Sequence, residues 1–298
     1  MFLFFATFLT TLLTGVSMEA GARGIEIGGI TDLLYRPSLL LLGLPYCLCV
    51  LGILGSHEMG HYIACRRHGI DATPPYFLPS PPGMIFGTFG AFIRIRAPIT
   101  NRRALFDIGV AGPLAGFVVT IPVLIWGTLT SEWRPETHVL GEFYVFGKCL
   151  STRWLSLLLA PPPPATEGYL FSVGSVWVAG WFGVLATGLN LLPIGQLDGG
   201  HIAYAVSRRH HTFMSRLSLA VFVGLGLIVN ESWLFWATIM VLLSPRHPAL
   251  LEEERSLSRG RLLLAAVAFA ILVLCFIPDM ARLVQLEPGP PQDASLLR

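Results

Sequence analysis

Charged residues are scarce in this chain of 298 amino acids, since Asp, Glu, Lys and Arg together make up 13% of it. Soluble domains contain about 25% charged residues. Hydrophobic residues instead make up 53%, and the mean hydropathy is +0.66. This composition excludes an ordinary water-soluble domain and predicts a protein embedded in a lipid bilayer. The formal net charge is only +2, which excludes nucleic acid as an expected partner.

Cysteine is also scarce, and its spacing excludes two classes of site. No two of the five cysteines form a CxxC pair, so the sequence predicts neither a thiolate zinc site nor a disulfide framework. We expect them to pack as small apolar side chains. They are Cys47, Cys49, Cys65, Cys149 and Cys275.

Long apolar runs are abundant, and a bilayer core of about 30 Å requires roughly 20 such residues in a helix. Six segments approach that length: 1–16, 38–65, 105–129, 169–198, 217–243 and 262–277. No charged residue precedes the first run, so we interpret it as a retained span rather than a signal peptide. Three polar residues at 230–232 interrupt the fifth run and favour two short helices there. The prediction is an all-α polytopic membrane protein with six to seven transmembrane helices.

Arginine placement predicts the orientation, because cytoplasmic loops of membrane proteins are enriched in Lys and Arg. Residues 66–104 contain six arginines, and residues 202–216 contain three. We therefore predict that both loops are cytoplasmic. The seven tryptophans lie at or near the ends of the runs that this orientation places outside.

The pentapeptide His57-Glu58-Met59-Gly60-His61 lies near the end of the second apolar run. Residues four apart share one face of a helix, so both imidazoles can bind one metal ion while Glu58 addresses a water. This spacing predicts a hydrolytic zinc site, which needs three protein ligands and an open position. A purely structural role is the alternative, but burying three ionisable groups in a span is costly without a use.

Asp198 is the candidate third ligand, because few acids lie within the apolar runs. It follows Pro193 and precedes Gly199 and Gly200, which allow a helix to bend and bring a carboxylate to a metal. Its depth in the membrane also fits. At 1.5 Å per helical residue, His57 and Asp198 each lie roughly 13 to 15 Å from the cytoplasmic arginine that follows them in the chain. A role as a turn cap is the alternative.

Taken in order along the chain, these motifs resemble the site-2 protease class of intramembrane zinc metalloproteases, the M50 peptidases. The resemblance rests on HEMGH at 57–61, GPLAG at 112–116, NLLP at 190–193 and LDGG at 197–200. Matches at 87–91 and 101–104 place it nearest a bacterial and plastid subgroup without PDZ or CBS domains. It implies a single transmembrane metalloprotease domain at 1–278, with a catalytic core of about 39–204 and a short C-terminal tail at 279–298.

The resemblance also implies the roles of individual residues. His57, His61 and Asp198 would bind one Zn²⁺ per chain, and Glu58 would be the catalytic base. Asn190 would lie near the reacting carbonyl and donate to the oxyanion, with a hydrogen bond between helices as the alternative. The implied activity is the hydrolysis of peptide bonds in or near transmembrane segments of single-pass membrane proteins. The excess of Arg over Lys favours a bacterial cytoplasmic membrane, with the active site towards the cytoplasm.

Two other functions are compatible with the same residues. In a metal transporter the histidines and acids would form a transport site, but transporters tend to have internal repeats and none is evident here. A catalytically inert membrane protein that binds a partner is the second, although every element of the proposed site is present in the sequence.

Residues 86–96 alternate with a period of two, which is typical of a β-strand. An exposed strand edge can hold an extended peptide by main-chain hydrogen bonds. We therefore predict a short β segment near the active site that pairs with unwound substrate. An amphipathic loop resting on the membrane surface is the alternative.

Overall fold

The computed structural model describes residues 1–81, 83–135, 141–164, 168–243, 256–278 and 281–286. Within these residues the chain forms ten α-helices and six short strands. The helices are α1 Phe2–Arg23, α2 Ile30–Tyr35, α3 Leu40–Arg67, α4 Arg102–Leu129, α5 Leu150–Leu159, α6 Ser175–Asn190, α7 Asp198–Val206, α8 Arg208–Ile228, α9 Ser232–Leu243 and α10 Arg259–Cys275. The strands are β1 Tyr76–Pro79, β2 Thr88–Phe92, β3 Glu132–Pro135, β4 Gly141–Val145, β5 Tyr169–Ser172 and β6 Arg282–Leu286.

The strands form three antiparallel pairs, β1 with β2, β3 with β5, and β4 with β6. The strand predicted within residues 86–96 is therefore confirmed as β2. β6 lies within the predicted C-terminal tail, of which residues 279–280 and 287–298 lie outside the described residues.

Four helices among the described residues are long and apolar enough to cross a membrane. They are α1, α3 with the short 3₁₀ turn before it, α4 and α8. The helices α6, α9 and α10 have 16, 12 and 17 residues, below the roughly 20 that a straight span needs. The predicted α-helical membrane protein is confirmed as a mostly helical one, in which the described residues form three short strand pairs. The number of six to seven spans remains a prediction.

The predicted fourth span, 169–198, differs from the structure. It consists of β5, then α6, then an irregular segment at 191–197, and α7 begins at Asp198. The helix ends because Pro193 has no N–H to donate and Gly195 has φ +48°, a left-handed conformation that favours glycine. Asp198 thus begins a new helix after the break.

The fifth apolar run is divided as predicted. α8 ends at Ile228 and α9 begins at Ser232. The Asn230 side-chain oxygen accepts a hydrogen bond from the Ser232 backbone N–H at 2.9 Å, which satisfies one free donor of the new helix. The polar residues therefore form a turn between two antiparallel helices that pack on each other.

A charge cluster joins the end of α3 to the starts of α4 and α10. Asp107 Oδ2 lies 2.8 Å from His68 Nε2, and Arg261 donates to both Asp107 oxygens at 2.8 and 2.7 Å. Arg102 of α4 also donates to the carbonyls of Ala205 and Val206, next to the start of α8. We call this side the arginine-rich face: α3 ends there, and α4, α8 and α10 begin there.

The five cysteines are free and buried, as predicted from their spacing. Cys65 packs in an apolar cluster with Ala64, Ile70 and Ala104. Cys47 lies 3.1 Å from the Thr11 hydroxyl, between α3 and α1. They act as small side chains at helix contacts.

Candidate metal centre

His57, His61 and Asp198 meet at one point, although the aspartate is separated from His57 by 141 positions. His57 Nε2 lies 3.1 Å from Asp198 Oδ2 and 3.1 Å from His61 Nε2. The third side of this triangle, from His61 Nε2 to Asp198 Oδ2, measures 3.3 Å. The two histidines are buried and the side chain of Asp198 is 14% exposed.

The triangle fits a zinc ion. Two ligand atoms bound to one tetrahedral zinc at 2.0 to 2.2 Å lie about 3.3 to 3.6 Å apart, within a few tenths of an ångström of the three distances here. The charge balance also fits, because the Asp198 carboxylate interacts electrostatically with the carboxylate of Glu58 and both side chains are largely shielded from solvent. Such a pair is costly to bury unless a cation compensates it.

A backbone hydrogen bond fixes the orientation of the His61 imidazole. Its Nδ1 lies 2.8 Å from the Ile108 carbonyl oxygen of α4, so Nδ1 carries the proton and donates. This tautomer leaves the Nε2 lone pair free for a metal, which is the usual arrangement for a histidine ligand.

Two glycines of α4 form the floor beneath the histidine rings. A Cβ atom at Gly112 would overlap the ring of His61, and one at Gly116 would lie 3.2 Å from His57 Nδ1. The GPLAG motif therefore has a specific role beyond general helix packing, because it allows α4 to pass directly under both ligands.

We expect Gly112→Ala to lower zinc affinity roughly 10- to 100-fold, the usual range when the support of a metal ligand is disturbed. The added methyl group and the His61 ring cannot occupy the same space, so His61 must move away from the triangle. Metal analysis after dialysis against a competing chelator measures this effect.

Gly52→Ala is the matched control, because Gly52 lies in α3 and its added Cβ would meet nothing within 4 Å. It should bind zinc like the wild-type chain. Equal zinc affinity in the Gly112→Ala and Gly52→Ala variants would contradict the proposed floor.

Asp198 is positioned by close packing of α7 on the irregular segment before it. A Cβ at Gly199 would overlap the Leu191 carbonyl, and one at Gly200 would overlap the Gly195 carbonyl. The prediction that these two glycines allow a helix to bend is wrong, because they lie within the first turn of α7 and allow its close contact with the segment. The Ser215 hydroxyl of α8 donates to the Pro193 carbonyl at 2.8 Å and fixes the segment from its other side.

Glu58 is buried next to His57, and its carboxylate interacts with the backbone N–H of Ile93, just beyond β2. The opposite edge of this extended stretch is paired: Thr73 donates to the Arg94 carbonyl at 3.0 Å and Arg96 to the Asp71 carbonyl at 2.8 Å. Because backbone groups alternate between the two edges of a strand, odd-numbered residues here direct theirs to the free edge. That edge reaches the Glu58 carboxylate.

Asn190 is the last residue of α6 and is partly exposed, directly before the irregular segment that leads to Asp198. Its role near the reacting carbonyl remains a prediction. His201, three residues after Asp198, has its Cβ atom against Gly109 of α4, so the same helix that lies under the histidines also lies against α7.

The family profile of peptidase family M50 matches residues 45–229, which include all three candidate ligands and more than half of the chain. The chain belongs to this family. As expected for an M50 peptidase, it has a triangle of two histidines and one aspartate that lie close enough to bind zinc.

Curated relatives of this M50 peptidase include plant proteins. It is 30% identical over 233 residues to the probable zinc metalloprotease EGY2, chloroplastic, of Arabidopsis thaliana, covering 78% of this chain and 40% of that protein. It is 30% identical over 250 residues to the probable zinc metalloprotease EGY1, chloroplastic, of the same plant, covering 81% and 44%. The chain thus spans less than half the length of these relatives. No solved structure matches it.

Sequence reasoning missed one part of the site and one neighbouring cluster. The Asp107 cluster, which lies at the arginine-rich face and not in the site, was missed although Asp107 is an acid inside an apolar run, which is a detectable signal. The Ile108 carbonyl was missed because a backbone acceptor leaves no trace in the residue type. Both lie on α4, the helix under the histidines.

Proposed function

We propose that this chain is an intramembrane zinc metalloprotease that hydrolyses peptide bonds in or near transmembrane segments of single-pass membrane proteins. One observation supports this most directly: the triangle of His57, His61 and Asp198 has sides of 3.1 to 3.3 Å and lies beside the buried Glu58. Three ligands leave a fourth position for water or substrate, which is typical of hydrolytic rather than structural zinc.

The residues divide the chemistry between them. Zinc, when bound, would polarise the scissile carbonyl and activate water at neutral pH. Glu58 accepts the proton of the attacking water and returns it to the leaving amine. The Ile108 carbonyl holds His61 in the required tautomer, and Asn190 donates a hydrogen bond to the developing oxyanion.

The test is a cleavage assay with the purified, zinc-loaded chain and a panel of single-pass membrane proteins in detergent or proteoliposomes. We expect cleavage within or next to a transmembrane segment, lost on chelation and restored by zinc. Zinc transport into proteoliposomes without any cleavage would instead favour the transporter alternative.

We propose that the free edge of β2 and the residues after it binds the unwound substrate as an added strand. A peptide bond must leave its helix before water can reach it, and its exposed backbone groups then need partners. Ala91 offers such groups on the same edge on which the Ile93 N–H interacts with Glu58. Substrate bound there would lie beside the proposed base.

Ala91→Pro should lower cleavage about tenfold while zinc content stays unchanged, because proline removes one N–H from the free edge. Ala91→Val keeps that N–H and is expected to cleave at close to the wild-type rate. If both variants cleaved like the wild type, substrate would not pair with this edge.

We also propose that the protein lies in a bacterial cytoplasmic membrane with its arginine-rich face towards the cytoplasm, following the positive-inside rule. Thr130 at the end of α4 and Thr212 in the first turns of α8 are exposed near opposite faces. In intact cells an impermeant thiol reagent should label Thr130→Cys, and it should label Thr212→Cys only after permeabilisation. The reverse pattern would overturn the orientation.

A further inference from the structure

An apolar groove of about 580 Å³ lies between α5, α8 and α10, and none of the candidate metal ligands lines it. Leu217 and Phe222 of α8 form one wall, and Phe269 and Phe276 at the α10 side form the other. Its base is Leu192 with Pro193, part of the irregular segment that precedes Asp198. Leu217 and Phe269 are more than half exposed, so the groove is open to the surroundings of the helices.

The groove runs along the direction of the helices, and its lining residues come from both halves of α8 and from the second half of α10. Phe276 and Pro278 follow the end of α10, opposite the arginine-rich face where α10 begins. From Phe276 to Phe269 is seven residues, or about 10 Å along a helix. On α8 the lining begins at Met214, which lies six residues, or about 9 Å, after the arginine-rich start of that helix. The groove therefore extends beyond the leaflet in which its outer end lies.

Two cations stand at the outer end of the groove. Lys148 directly precedes the N-cap of α5 and Arg153 is its fourth helical residue, two positions that lie side by side at a helix start. Both are exposed. None of the described residues that line the groove is acidic. The charge of this rim is therefore suited to an anion.

The exposed surface of α5 indicates that this rim lies at the membrane interface. Trp154, Leu157 and Leu158 are 64%, 82% and 77% exposed on a ten-residue helix whose inner side buries Ser151 and Thr152. Tryptophan and leucine on one side of a short amphipathic helix are typical of a helix lying in the lipid headgroup region. Cations at that level reach phosphate groups.

We infer that this groove binds one anionic phospholipid, with the phosphate between Lys148 and Arg153 and an acyl chain against Leu192 and Pro193. The lipid then contacts the same segment that Ser215 holds from α8 and that α7 packs upon. Its binding should stabilise residues 191–197 and with them the position of Asp198. This role does not depend on protease activity.

The test uses the full zinc-loaded chain in detergent and native mass spectrometry. We expect one phosphatidylglycerol to be retained per chain, and phosphatidylcholine with the same acyl chains to be retained much less. The double variant Lys148→Gln/Arg153→Gln should lower phosphatidylglycerol affinity about 25-fold, since one cation near an anionic surface contributes about fivefold. Arg36→Gln is the matched control, because Arg36 is exposed and lies outside the groove.

A second measurement does not depend on affinity. Hydrogen exchange at residues 191–197 should slow when phosphatidylglycerol is added to the wild-type chain and stay unchanged in the double variant. A photo-crosslinking residue at Val273, in the groove wall, should capture lipid in membranes. Equal retention of the two lipids, wild-type affinity in the double variant, or crosslinks only to a second chain or another protein would overturn the inference.

Discussion

Glu58→Gln should lower the rate of cleavage by about 10² to 10⁴, the usual contribution of a general base. The amide has nearly the shape of the carboxylate but cannot accept the water proton. Because Glu58 lies outside the triangle of ligand atoms, zinc content should remain close to one per chain. A cleavage assay with a metal analysis of the same preparation measures both quantities.

Glu58→Asp is an informative control, since it keeps a carboxylate but shortens the side chain by one methylene group. It should retain more activity than Glu58→Gln, because a proton acceptor is still present at a greater distance. Cleavage at the wild-type rate by purified Glu58→Gln would contradict the proposed role of Glu58 as general base, whatever the zinc content of the variant.

Asp198→Ala should lower zinc affinity at least about a hundredfold and abolish cleavage with it. Loss of a residue that only hydrogen-bonds to a ligand lowers metal affinity roughly 10- to 100-fold, and removal of a direct ligand lowers it further. The two histidines would remain, but two protein ligands do not complete a zinc site of this type. Competition with a chromogenic zinc chelator gives the affinity.

Cys65→Ala provides the matched control for this experiment. Cys65 lies one helical turn after His61 and could be mistaken for a ligand, yet it is buried in an apolar cluster. Its removal should leave zinc affinity unchanged. If Asp198→Ala kept wild-type affinity, or if Cys65→Ala lost zinc, the set of ligands would have to be revised.

Several features of the site follow from local sequence. The four-residue spacing of His57 and His61 places both rings on one helix face, because helical periodicity is a property of neighbouring residues. The period of two after residue 86 predicted β2 for the same reason. Pro193 predicted the break before Asp198, because proline lacks the N–H that a helix needs, whatever the tertiary structure around it.

The pairing of distant segments was only partly predictable. Depth arithmetic placed His57 and Asp198 at similar distances from one membrane face, but it does not say whether two helices are neighbours. Their contact depends on α4, against which both α3 and α7 pack closely through Gly60, Gly109 and Gly112. A glycine motif predicts that another helix packs closely against it, but it does not predict which helix that is.

By itself, therefore, the sequence determined the membrane class of this protein, its family and its candidate metal ligands, because composition, helical spacing and chain breaks are local. The tertiary structure decided which surfaces meet. It placed Gly112 under the His61 ring, the Ile108 carbonyl next to His61 Nδ1, and the Ile93 backbone, just after β2, next to Glu58. These contacts depend on how helices far apart in the chain pack together, and packing is a property of the whole bundle rather than of any one segment.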